Sequence, residues 1–456
     1  MWNPPAADSY LYFSENLHMN RIKACVLKFL DKYQMDYLNV DIETNVKAFL
    51  DEMQKGLDGQ KSSLEMIPTY IEVGSDIPSN KPVIVIDAGG TNFRAAVVRF
   101  DEQKRPAVEN IKKYKMPGAM QEVGRDEFFR MMAGYVREIA GVSENIGFCF
   151  SYPSEILPNK DGRLIRFTKE VKAKDVVGQL IGENLNRAMA EMKTGGDKHI
   201  VILNDTVATL LAGVGHVGHN DRVFGGYLGF ILGTGTNCCY VEKNGNIKKK
   251  KGLDLQRSQI INAESANFSR CQRGAFDTEF DKTTANPGEH IFEKMISGAY
   301  LGEICFLTIQ KACEDGLFSS GAAEAISQMR GLETKQLNDF MFYPYGENPL
   351  ATACKCGDSD DAIKLYYLAD RMVERAAKLA AVNLSAMAIK SGCDTRPDKP
   401  LCIVAEGTTF YQMKGLKSKV EFYLKQYLEN EIGIYWEIVS VDNAALIGAA
   451  IAGLTN

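Results

Sequence analysis

The tripeptide Gly-Thr-Asn occurs twice, each time at a bend between two apolar runs. The first copy lies in Val83-Ile84-Val85-Ile86-Asp87-Ala88-Gly89-Gly90-Thr91-Asn92-Phe93-Arg94-Ala95-Ala96-Val97-Val98, the second in Gly229-Phe230-Ile231-Leu232-Gly233-Thr234-Gly235-Thr236-Asn237-Cys238-Cys239-Tyr240-Val241. Each reads as a buried strand, a Gly/Thr turn and a returning strand. Glycines let such a turn take positive φ and bring backbone N–H groups against a ligand. Threonine hydroxyls add donors suited to a polyanion. Two such hairpins imply two related halves closing on one phosphate chain.

The rest of the chain interleaves strands and helices. A helical pattern covers 20–56, with Ile22, Cys25, Val26, Phe29 and Leu30 on one face. Strands are predicted at 146–150 and 200–203, a helix at 206–214, and long helices at 289–314 and 360–390. A strand at 401–405, a helix at 414–428, a strand at 435–440 and a helix at 444–454 close the chain. With 456 residues there is room for roughly two to four domains. The order predicts an α/β protein of two similar lobes joined by several crossings, with ligands at the carboxyl ends of the strands.

Composition narrows the function. A net charge of −5 and a pI near 5.8 exclude a broad nucleic-acid footprint. The one basic run, Lys248-Lys249-Lys250-Lys251, follows Asn244-Gly245 and reads as a solvated loop. The eleven cysteines are scattered through apolar segments, as small reduced core residues in a cytoplasmic protein. Cys354-x-Cys356 lacks a second Cys/His pair at zinc-like spacing and reads as a loop pair without metal. No signal peptide is visible, and no apolar run reaches the ~18 residues of a bilayer span, so no membrane partner is expected.

Gly213-Val214-Gly215-His216-Val217-Gly218 matches the dinucleotide fingerprint, but it follows a helical pattern and precedes a turn. It reads as a helix C-terminus and loop, with His216 and His219 as loop residues rather than metal ligands. Asp87-x-Gly89-Gly90-Thr91-x-x-Arg94 is the stronger signal, joining an acid, glycines, a hydroxyl and a guanidinium suited to phosphate and hydrated Mg²⁺. Asp205, between a strand end and a helix start, is either a helix cap or a general base in the cleft. Spacing leaves both readings open.

Several blocks in one order resemble the eukaryote-type hexokinase family, at the length of one catalytic unit. They are Gly147-Phe148-Cys149-Phe150-Ser151-Tyr152-Pro153, Arg166-Phe167-Thr168-Lys169-Glu170, Leu203-Asn204-Asp205-Thr206-Val207-Ala208-Thr209 and Glu293–Ile304, together with both hairpins. The resemblance spans roughly 20–456. It implies an actin-like, ribonuclease H-like fold of two lobes, a duplicated mixed sheet with flanking helices around a central cleft. The small lobe would hold 78–203 and 443–456, the large lobe 1–77 and 204–442.

The resemblance also implies transfer of the γ-phosphate of ATP to the 6-hydroxyl of a hexose (glucose, mannose or fructose), the opening step of glycolysis, by a monomer or homodimer. Asp205 would take the proton of the sugar 6-hydroxyl, with Lys169 beside the transferring group. Ser151, Thr168, Lys169, Asn204, Asp205, Asn237, Glu264 and Glu293 would bind the sugar. Gly89, Gly90, Thr91, Asn92 and Arg94 would form the first phosphate segment, and Gly233, Thr234, Gly235 and Thr236 the second. Gly407 and Thr408 would meet adenosine, and Asp87 would order Mg²⁺ through water. Glu264 is followed by Ser265-Ala266 where the family carries Trp-Gly, and Asp442-Asn443-Ala444 replaces a Gly-Ser-Gly type segment. These departures leave open the preferred hexose and the contacts to adenine and ribose. A sugar-sensing relative without turnover and a chaperone- or actin-like ATPase are the alternatives.

Overall fold

The computed structural model describes residues 6–74, 76–167, 171–195, 197–217 and 222–456. Two helices, Ala6–Lys32 and Ile42–Asp58, and a two-residue strand β1 (Ile67–Pro68) lead into the first sheet. Its strands are β2 (Val83–Gly89), β3 (Asn92–Phe100), β4 (Pro106–Lys115), β5 (Asn145–Phe150) and, after the small hairpin β6 (Ser154–Ile156) and β7 (Gly162–Leu164), β8 (His199–Leu203). The second sheet comprises β9 (Gly226–Leu232), β10 (Thr236–Lys243), β11 (Ser258–Asn262), β12 (Leu401–Glu406) and β13 (Trp436–Val439), with β1 on its edge.

The two sheets repeat one topology. The first runs β4-β3-β2-β5-β8 and the second β11-β10-β9-β12-β13. In each, three antiparallel strands are followed by two parallel ones. This is the α/β arrangement of two similar lobes expected from the paired hairpins, and the actin-like fold that the family resemblance implies. The central strands are continuous apolar runs because both of their faces are covered. The edge strand β4 was not expected. Its charged sequence, PAVENIKKYK, faces solvent along most of its length, as an edge that must not template other strands requires.

Three helical expectations are corrected. The pattern over 20–56 is two helices, because buried Asp36 caps the turn Tyr37–Asn39 and Asp41 caps the second helix at Thr44. On the first, Ile22, Val26, Phe29 and Leu30 are buried while Cys25 is exposed. The pattern over 289–314 is also divided, into Ile291–Ile296 and Leu301–Glu314. The amides of Gly298 and Ala299 donate instead to the carbonyls of Gly233 (2.8 Å) and Thr234 (3.0 Å). Over 414–428, an α-helix Leu416–Tyr423 passes into a wider π-helical segment Leu424–Glu431. The basic run is only half solvated. Lys250 pairs with Glu155 at 3.4 Å, and Lys249 donates to the carbonyl of Glu65 at 2.5 Å. Burial lowers Lys249 to about 8.

A shared core joins the sheets, built around the helices Asp205–Val217 and Ala444–Thr455. Backbones meet there without intervening side chains. A Cβ on Gly448 would stand 1.9 Å from the Ala208 carbonyl oxygen, and one on Gly147 of β5 would stand 1.7 Å from that of Ala449. The fingerprint glycines have the same use. Gly213 and Gly215 lie within the Asp205–Val217 helix and let it rest on Val404 and Ile451. Gly218 and His219 fall outside the described residues. Among those described, no helix is long and apolar enough to cross a membrane.

The seam gives a sharp test. A Gly147→Ala methyl cannot fit without displacing the C-terminal helix, whereas Gly245 has open space around its Cβ position. Urea unfolding should show Gly147→Ala losing on the order of 2–4 kcal/mol and Gly245→Ala changing little.

Candidate active site

The first Gly-Thr turn joins β2 to β3 with Gly90 at φ 62°. Antiparallel register puts Asp87 opposite Arg94, and the Arg94 Nε donates to Asp87 Oδ2 at 2.7 Å, reinforced by Nη2. The turn's carbonyls point back into the lobe. Ala88 accepts from the Ser151 amide (3.0 Å), Gly90 from the Tyr152 hydroxyl (2.6 Å) and Thr91 from the Met116 amide (3.0 Å). Gly89 packs against Ser151, and Asn92 pairs with Gly89 across the hairpin.

The second turn obeys the same rule. The carbonyl of Gly233 accepts from Gly298 N and from the Thr409 hydroxyl (2.9 Å), and that of Thr234 from Ala299 N. The Gly233 amide closes on the Gly235 carbonyl at 2.9 Å, and the Thr236 amide donates to Glu293 Oε2 at 2.9 Å. Thr236 is buried and its hydroxyl donates to Ile231 O, so it shapes the turn from within, while Thr234 is exposed.

Thr234 lines a cavity of about 480 Å³ together with Gly298, Thr334, Asp339, Thr408 and Met413. Thr408 enters it because β12 ends at Glu406 and Gly407, at φ 120°, turns the chain into the short helix Thr408–Gln412. The second turn and the Gly407-Thr408 segment therefore share one cavity. Thr334 and Asp339, from the helix Thr334–Phe342, carry no sequence motif and were not anticipated.

Asn204 follows β8, and Asp205 begins the helix Asp205–Val217, the seam helix. The Thr206 amide lies 2.9 Å from both Asn204 Oδ1 and Asp205 Oδ1, so Asn204 shares the capping with the acid. Glu264 is reached through a chain of amides. Asn237 Nδ2 donates to Asn262 Oδ1 (2.8 Å), and Asn262 Nδ2 donates to Glu264 Oε1 (2.7 Å). Asn204, Asn262 and Glu264 line one small cavity with Thr69 and Ser154. Burial, with Glu65 adding repulsion, raises the Glu264 carboxyl from 4.5 to about 7. Ser265 lies behind this network, fully buried, its amide donating to Asn237 Oδ1 and its hydroxyl oxygen accepting from Asn383 Nδ2. Thr168 and Lys169 lie outside the described residues.

The sequence reading missed Asn262 and Glu406. Both are polar residues ending apolar strands, the signal that Asp87 and Asp205 also carry. Burial raises the Glu406 carboxyl, and Asp205 and then Asp87 add repulsion that Arg94 partly offsets. The Cys149 thiol, raised by burial, senses Asp87, Asp205 and Glu406 together. Acids on β2, at the end of β12 and at the head of the helix after β8 thus neighbour one another, a place that suits a proton acceptor for a hydroxyl nucleophile.

Family models described as hexokinase match residues 28–214 and 227–455. Hexokinase-1 of Arabidopsis thaliana is 30% identical over 433 residues, covering 88% of this chain and 85% of that protein. Hexokinase-5 of Oryza sativa subsp. japonica is 29% identical over 439 residues, covering 89% and 84%. A hexokinase-like 1 protein of Arabidopsis thaliana is 27% identical over 464 residues, covering 95% and 92%. In fold, the chain is similar to the hexokinase from Schistosoma mansoni complexed with glucose, with a TM-score of 0.76 and 22% identity, over 95% of this chain and 99% of that one.

The raised carboxyl of Glu264 predicts a pH dependence of stability. Between the unfolded value of 4.5 and the folded value of about 7, the native state keeps a proton that the unfolded chain releases. Stability from this group is therefore complete below 4.5 and lost as pH rises through 7, by about 3 kcal/mol. Urea titrations at pH 5 and pH 8 should show a smaller difference for Glu264→Gln than for the unaltered protein.

Proposed function

Because this chain belongs to the hexokinase family, we propose that it transfers the γ-phosphoryl group of ATP to the 6-hydroxyl of a hexose. One observation carries the reading: Asp205, at the head of its helix, neighbours Glu406 together with Asp87 and Arg94 of the first hairpin, and the Gly407 that follows Glu406 packs on Leu232 and Gly233 of the second. A hexose contacted by Ser151, Thr168, Lys169, Asn204, Asn237, Glu264 and Glu293 would present its 6-hydroxyl to Asp205. Carboxylates and amides suit a ring of hydroxyls, each both donor and acceptor. A site that pairs particular hydroxyls rejects analogues that leave its polar groups unpaired.

The donor would lie in the cavity of Thr234 and Thr408, its phosphates toward Gly89, Gly90, Thr91, Asn92, Gly233 and Gly235. Asp205 accepts the 6-hydroxyl proton while that oxygen bonds to the γ-phosphorus and the bond to the β,γ-bridging oxygen breaks, releasing ADP. Lys169 and Arg94 offset charge on the moving group. Asp87, a hard carboxylate whose Oδ2 is already engaged by Arg94, would hold a hydrated Mg²⁺ through water, and the ion would neutralise phosphate charge. Lobes of 78–203 plus 443–456 and of 1–77 plus 204–442 would close about the seam, excluding water from the donor.

A coupled assay across glucose, mannose, fructose and an amino sugar, each with ATP and GTP, tests the proposal. Product should form with ATP and at least one hexose. Calorimetric sugar binding with no product would instead identify a sensor, and hexose-independent ATP hydrolysis an ATPase of the same fold. Asp205→Ala should lower kcat by about 10²–10⁴-fold or more while sugar affinity changes far less. Near-normal turnover would remove Asp205 from the mechanism. Arg94→Ala should weaken nucleotide use, raising the KM for ATP or lowering kcat, without changing sugar affinity.

A further inference from the structure

We propose that Glu406 is a positioning residue that, through Thr209, fixes the first turn of the Asp205 helix and ties it to the Gly407-Thr408 turn. The proposal rests on the phosphotransferase reading above and assigns a role to a side chain outside both phosphate turns. Thr209 is fully buried one turn beyond Asp205. Its hydroxyl stands 2.9 Å from the Asp205 carbonyl oxygen and 3.3 Å from Glu406 Oε2. One hydroxyl proton serves two acceptors, so the position of Glu406 bears on how the helix's first turn is held. On the other side, Glu406 directly precedes Gly407, and Thr408 lines the 480 Å³ cavity. The Tyr411 hydroxyl donates to Ala405 O at 3.1 Å, which fastens this turn to the end of β12. A nucleotide pressing on Thr408 would therefore displace Glu406, and with it the support beneath Asp205.

The test compares Glu406→Gln, Glu406→Asp and Thr209→Val with the unaltered protein, after thermal melting confirms folding. In Glu406→Gln, kcat should fall by about 10–100-fold, the range for residues that orient a catalytic group. The hexose KM should stay within about twofold. Glu406→Asp should recover part of the loss. Thr209→Val should lower kcat likewise. Unchanged kcat in Glu406→Gln overturns the proposal, as does a loss with no recovery by Asp. If Glu406→Gln does not fold, normal kcat in Thr209→Val overturns it. A turnover-free readout separates this inference from the reading beneath it. Calorimetry of a non-hydrolysable ATP analogue, with and without saturating hexose, should give a coupling factor that falls toward one in Glu406→Gln and Thr209→Val. An unaltered protein without turnover but with that loss of coupling fails only the phosphotransferase reading. Coupling unchanged by both substitutions fails this one.

Discussion

Direct backbone contact along the C-terminal helix is the constraint on which the remaining geometry depends. Ala444–Thr455 lies against β5 through Gly147 and against the Asp205 helix through its own Gly448. At neither place is there room for a Cβ, so the spacing is set by atoms that have no rotamers. One core containing Val83, Val85, Leu203, Val404 and Ile451 then serves both sheets. Were the helix held off by side chains, the two turns would still form within their hairpins. They would not converge on Asp205.

Convergence would be useless if the turns presented carbonyl oxygens to a polyanion. Both avoid this by the same device, although their donors share no sequence. In the first turn the carbonyls of Ala88, Gly90 and Thr91 are taken by Ser151, Tyr152 and Met116. In the second, those of Gly233 and Thr234 are taken by Gly298, Ala299 and Thr409. Each carbonyl drawn inward is kept off the turn's open face, although in the second turn the Gly233 and Thr236 amides are also engaged, by the Gly235 carbonyl and by Glu293. The interrupted helix at 297–300 is thus part of the site, since its freed amides are what hold the second turn.

This explains what could be read in the chain beforehand. The hairpins, the central strands and the duplication were legible because apolar runs broken by Gly and Thr have few other foldings. The edge strand β4 was hidden by its lysines and glutamates, which an exposed edge wants and a pattern search discounts. The break at 297–300 was illegible for a different reason: its cause lies at Gly233, more than sixty residues away in sequence. Asn262 and Glu406 carried a visible signal, a polar side chain ending an apolar strand, but no motif surrounded them. Ser265-Ala266 looked like a change in the sugar pocket. The structure puts Ser265 beneath the Asn237–Asn262–Glu264 network, bonded to Asn383 of the long helix Asp361–Ser391.

The repeated Gly-Thr-Asn is therefore one topology used for two purposes. In the first copy the asparagine, Asn92, opens a strand whose Arg94 is paired with Asp87, so charge is stored at the turn itself. In the second, the asparagine, Asn237, looks away from its turn and begins the amide chain to Glu264. Its turn contains no charged side chain and borrows one, Glu293, from another helix. On the proposed function, that contact would link the two substrates: Glu293 accepts from the backbone of the second turn, so a sugar drawing on its carboxylate would also act on the turn assigned to phosphate, with Asp205 at the head of the helix between the halves.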